Sequence, residues 1–154
     1  MSHLQWLGVW AMTGFTKPEK SDLDRWSKGP SYLLADPKGL HYFKEFLNEP
    51  ERDFSSQAKY LEIWEECERL INQGAISKND ANSVLEEAKD HLSMDYGDLT
   101  QAENQIELGN EEKIQEVVMN VREAAKEDLT AVHSIFIEFL KRSGSPKKVK
   151  CLIL

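Results

Sequence analysis

Apolar residues along this chain recur at helical spacing and seldom at the strict alternation of a strand. Leu40, Phe43, Phe46 and Leu47 stand at i, i+3, i+6 and i+7, one stripe of a helix predicted over 38–48. Pro37 sits just inside its start, where a missing N–H costs nothing, and Pro50 closes it within a polar stretch, 49–57. Residues 57–72 place Tyr60, Leu61, Trp64, Cys67, Leu70 and Ile71 on one face, against Glu62, Glu65, Glu66, Glu68 and Arg69. Ala81, Val84, Leu85, Ala88 and Leu92 predict another helix, capped by Asn79 or Asp80. A loop containing Asp95, Gly97 and Asp98 is expected to follow it.

The longest periodic run, 111–142, carries apolar residues from Ile114 to Leu140. As one helix it would span about 48 Å, too long for a body of this size. A break is therefore expected near Glu127–Asp128. A shorter helix over 22–28, with Ser21 as its cap, carries Leu23 and Trp26 three apart. Trp6 and Trp10, four apart, are read as packing residues of an N-terminal aromatic segment, 1–20. The fold class is all-α.

With 154 residues the chain has room for one domain and short tails. Apolar residues at 40% and charged ones at 30% indicate a globular chain able to fill a core. No window nears 18 uninterrupted apolar residues, so no spanning helix is expected. Residues 4–12 lack a preceding Lys or Arg and a convincing cleavage site, and are not read as a signal peptide. A net charge of −8 argues against nucleic acid as partner. The charge is unevenly spread. Lys141, Arg142, Lys147, Lys148 and Lys150 lie in 141–150 without an acid, which leaves −13 on the rest of the chain.

That basic tail leads into Cys151-Leu152-Ile153-Leu154, which fits the C-a-a-X prenylation pattern, with Leu at X favouring geranylgeranyl. Gly144, Ser145 and Pro146 provide a flexible break before it. One lipid alone anchors reversibly. The five cations supply a second signal, each worth about 1 kcal/mol at an anionic leaflet. The expected address is the cytoplasmic face of a membrane, lipid-anchored, with Cys67 reduced. The Pro-Lys-Lys-Val-Lys run also has the composition of a nuclear-import signal.

Candidate chemistry is thin. There is no phosphate loop, nucleophile elbow or zinc-protease motif, and His3, His41, His91 and His133 form no ligand cluster at zinc spacing. Carboxylates lie on the polar faces of amphipathic helices, Cys67 on a buried face. No cofactor, metal or catalytic group is expected, and the chain reads as a binding module rather than an enzyme.

The segment from Trp26 to Leu47 resembles the opening of regulator of G-protein signalling (RGS) domains. In that family a Trp is followed thirteen residues on by Gly-Leu-x-x-Phe-x-x-Phe-Leu; here Trp26 is followed by Gly39, Leu40, Phe43, Phe46 and Leu47 in register. Leu33 and Leu34 fall near the family's paired apolar residues. Trp64-Glu65-Glu66-Cys67-Glu68 is similar to its Trp-x-x-Cys-Glu. Ala81, Val84, Leu85 and Glu87 follow its Ala-x-x-Ile-Tyr-x-Glu-Phe, and Phe136, Phe139, Leu140 and Lys141 its closing Tyr-x-x-Phe-Leu-Lys. The resemblance covers about 21–143 and leaves 144–154 as a basic tail. It implies an RGS-like bundle of about nine helices, a terminal-helix part plus an antiparallel four-helix bundle.

It also implies a partner, the α subunit of a heterotrimeric G protein (Gα). Gα brings its own transition-state Arg and water-orienting Gln, and RGS domains clamp its switch segments through polar loop residues. Those positions fall here on Ser55, Ser56, Gln57 and Tyr60, on Asp98 and Leu99, and on Glu138. The chain departs at each. Tyr60, or Ala58 in the other alignment, replaces an Asn; Asp98 replaces a second Asn; Glu138 replaces an Arg. Neither Tyr nor Ala offers a carboxamide's paired donor and acceptor. The alternative reading is an RGS-like scaffold without GTPase-activating activity that docks another membrane-associated signalling protein.

Overall fold

The computed structural model describes residues 14–143. The N-terminal aromatic segment as far as residue 13 and the tail from 144, with Lys147, Lys148, Lys150 and Cys151, lie outside the described residues. Among the described residues the protein is all-α, with no strand. Eight helices follow in order: α1 (Lys20–Trp26), α2 (Pro30–Leu34), α3 (Pro37–Leu47), α4 (Ser55–Gln73), α5 (Lys78–His91), α6 (Tyr96–Leu108), α7 (Glu111–Asp128) and α8 (Thr130–Ser143). A single 3-10 turn, Pro50–Arg52, separates α3 from α4.

Local chemistry sets the boundaries. Glu19 and Asp22 form a capping box at α1. Asp36 caps α3, accepting from the Lys38 N–H at 3.1 Å, with Pro37 in the first turn. Ser77 caps α5, and Asn110 caps α7 by accepting from the N–H groups of Glu112 and Lys113 at 2.9 and 3.2 Å. The predicted caps at Ser21 and at Asn79 or Asp80 are thus corrected to Glu19 and Ser77. The long run does divide where expected: α7 ends at Asp128 and α8 starts at Thr130.

The expected loop around Asp95, Gly97 and Asp98 is overturned. Asp95 is the N-cap of α6, and Gly97 and Asp98 lie in that helix's first turn. Gly109, in the left-handed region at φ 75°, ends it.

The described residues divide into two compact units, 14–55 with 130–143, and Ser56–Leu129. In the first, α1, α2 and α3 pack together and α1 meets α8. Its core holds Trp26, Leu33, Tyr42, Phe43, Phe46 and Phe136, each at most 1% exposed. Phe136 lies 5.2 Å from Phe43 and 5.1 Å from Phe46, centroid to centroid. α3 approaches closely at Gly39, where an added Cβ would meet the Leu33 side chain and carbonyl oxygen at 2.8 Å and Trp26 Nε1 at 2.9 Å. Trp26 Nε1 donates to Asp36 at 2.8 Å, and His133 Nε2 lies 2.8 Å from the Trp26 carbonyl oxygen.

The second unit is a four-helix core of α4 (from its second residue), α5, α6 and α7, centred on Cys67, Leu70, Leu85, Ala88, Ile106 and Val118. Polar contacts reveal the helix directions. Lys59, early in α4, pairs with Glu87, late in α5, at 3.0 Å. Lys78, opening α5, donates to the Glu107 carbonyl near the end of α6 at 3.0 Å. Ser93, just past α5, donates through N and Oγ to Asp128 at the end of α7, at 2.8 and 2.5 Å. Each helix therefore runs opposite to its predecessor, as short connections require.

Candidate functional site

Among the described residues, each unit carries a concave surface lined by a residue that the resemblance places at a partner contact. In the four-helix unit a cleft of about 620 Å³ lies between α6 and α7. Asp98 is on its wall, joined by Asp95, Glu116, Glu123, Glu127 and Asp128. These acids have separate structural ties: Glu123 pairs with Lys126 at 2.7 Å, and Asp128 accepts from Ser93. Asp98 itself is exposed, while Leu99 is half-buried against the four-helix core. Because both stand on the first turn of a helix, their positions are fixed by the α6 backbone.

The residues at the start of α4 form a second group. Ser55 and Ser56 are exposed, Gln57 is half-buried, and Tyr60 packs against the same core as Leu99. Tyr60 at this position is thus a packing residue with a polar tip. Among the described residues of this unit no Asn stands on the first turn of α4 or on that of α6.

In the first unit, a groove of about 540 Å³ is lined by Phe46, Arg52, Phe54, Ser134, Ile135, Glu138, Phe139 and Arg142. Here the structure brings Glu138 close to the chain just before Ser55. Glu138 is exposed and 3.8 Å from Lys141. Arg52 is the residue that sequence reasoning passed over, reading it as one more polar residue of 49–57. Its guanidinium lies 4.6 Å from the Phe46 ring centroid and 4.7 Å from that of Phe139. Burial lowers its pKa from the usual guanidinium range, against the opposing charge of Glu51. Nothing local could have shown this, because Phe139 comes from α8.

Elsewhere the titratable groups read as structural. Cys67 is fully buried, and burial pushes its thiol up to about 12, which makes it a poor nucleophile. Burial lowers the pKa of His133, the Trp26 carbonyl acting in the opposite sense. Among the described residues no group of His, Cys, Asp and Glu is placed to hold a metal ion, and no helix is long and apolar enough to cross a membrane. No protein-family model, curated protein or solved structure matches this chain.

Proposed function

We propose that this protein is a membrane-tethered RGS-homology module that binds Gα subunits. The observation that carries the reading is the joint between Trp26 and Gly39. The thirteen-residue interval in the sequence corresponds to a contact in which the Trp26 indole nitrogen lies 2.9 Å from where a Cβ on Gly39 would be. Of the other members of that pattern, Leu33, Leu34, Phe43, Phe46 and Leu47 are core residues of the same unit, while Leu40 is half-buried. The return of α8 to the N-terminal helices, with four antiparallel helices as a separate unit, also supports it.

The activity we infer is binding with weak stimulation of GTP hydrolysis. An RGS domain adds no reacting group; it lowers the barrier by holding the switch segments of Gα in their transition-state arrangement. That hold needs neutral amides and a cation where this chain has Tyr60, Asp98 and Glu138. Each such replacement is expected to weaken the hold, on the order of an ordinary hot-spot loss of about 1–2 kcal/mol. The same replacements favour the second reading, a scaffold that uses the fold without activating GTPases. The tether is proposed on Cys151-Leu152-Ile153-Leu154 and the cations before it.

The test is capture of the chain by a panel of Gα subunits in GDP, GTP-analogue and aluminium-fluoride states, with single-turnover GTP hydrolysis on the same panel. Preferential capture by the aluminium-fluoride state, with modest acceleration, is the expected result. Absent or state-independent capture would transfer the protein to the scaffold reading.

A further inference from the structure

The groove along α8 has a composition that its role in packing does not explain. The Arg52 guanidinium lies over the adjoining rings of Phe46 and Phe139, whose centroids are 5.1 Å apart, and its Nη1 is buried without a hydrogen-bond acceptor among the described residues. Buried donors left unmatched are rare and ask for a cause. Among the described residues no carboxylate forms an ion pair with Arg52; it feels the charge of Glu51, and Glu138 on the same lining faces Lys141 at 3.8 Å. Arg142 adds a second cation on the same lining. Beside these charges lies exposed apolar surface, with Ile135 49% exposed.

We propose that this groove docks a partner protein through a segment in which an acidic side chain stands next to a bulky apolar one. The carboxylate pairs with the part of the Arg52 guanidinium that faces the groove and with Arg142 on the same lining. The apolar side chain covers Phe54 and Ile135. An Arg packed against two rings has lost part of its side-chain freedom before a carboxylate arrives. Peptide is favoured over an apolar acid such as a fatty acid by the rim. Ser134 and Glu138 offer oxygen acceptors there, which a peptide's N–H groups can use and a fatty acid cannot. The lining residues of α8 run from 134 to 142, about 12 Å of helix, the reach of a short extended segment. The inference goes beyond Gα binding and does not depend on it.

The experiment pans a random dodecapeptide phage library on the full-length chain. Enriched sequences should set Asp or Glu beside Phe, Leu, Ile or Trp. For a synthetic peptide from such a clone, replacing the acid by its amide should weaken binding at least about tenfold, as expected for losing a charge-assisted pair. Arg52→Gln should shrink that discrimination, Arg52→Gln with Arg142→Gln should abolish it, and Ile135→Glu, at an exposed position, should abolish binding with the helical circular dichroism retained. No enrichment, enrichment without acids, or binding indifferent to these variants overturns the proposal. So does laurate binding that is lost in Ile135→Glu while peptides fail to bind.

Discussion

Adding one methyl group at Gly39 drives it into backbone as well as side chain, since the Leu33 carbonyl oxygen and Trp26 Nε1 are both within 3 Å of the new atom. Gly39→Ala gains helix propensity, about 1 kcal/mol, but overpacking of a rigid contact typically costs about 1–3 kcal/mol. We expect net destabilisation, read as a lower urea midpoint with the slope unchanged. Asp36 is the complementary case. It accepts from the Lys38 N–H, from Trp26 Nε1 and from Arg25. Asp36→Ala should cost about 1–3 kcal/mol, because it removes a cap and leaves a buried indole N–H unmatched. The Trp26–Gly39 interval could be read from the chain; its cause could not, because an i-to-i+13 contact depends on how α1 and α3 cross. Arg52 was hidden for the same reason: of its two rings, Phe46 is six residues back but Phe139 comes from α8.

Among the elements, α6 shows where pattern fails. Its buried stripe is only Ala102 and Ile106, while Tyr96 and Leu108 are 81% and 80% exposed. Apolar residues face both ways, so the helical period fades and the turn residues Asp95, Gly97 and Asp98 dominate the reading. α3, α4, α5 and the divided run of α7 and α8 were legible because each buries a wide stripe. The break after Asp128 followed from length alone. Asn110 carries the start of α7 with two backbone bonds. Asn110→Ala should lower stability by about 1 kcal/mol, with amide exchange of Glu112 and Lys113 accelerated before that of the helix centre.

At the scale of the whole molecule, acid is the condition most sharply opposed. His133 has a lowered pKa in the fold, so below its unfolded value near 6.5 the unfolded chain binds the additional proton. Stability therefore falls as pH drops from there through the folded pKa. Asp22 and Asp36 act further down: burial raises each carboxyl, but hydrogen bonds from Lys38, Arg25, Trp26 and backbone N–H groups outweigh it and hold both low. Their contribution is present above the unfolded carboxylate pKa and disappears as pH falls through the folded one. A thermal-melt series from pH 8 to 3 should show two descending stages, the upper one absent in His133→Gln if that variant retains the bond to Trp26. For the tail, Cys151→Ser should move the protein from the membrane to the soluble fraction of lysed cells; unchanged partition removes the tether from the proposal.

The chain leaves its first unit at Ser55 and re-enters it at Thr130. A ribosome must therefore deliver the whole of the intervening four-helix unit before α8 exists. Trp26 waits 107 residues for His133, roughly 5–20 s at ordinary rates of synthesis. During that interval the aromatic side chains of α1 and α3 are without Phe136, and the nascent polypeptide is a substrate for chaperones that bind such surfaces.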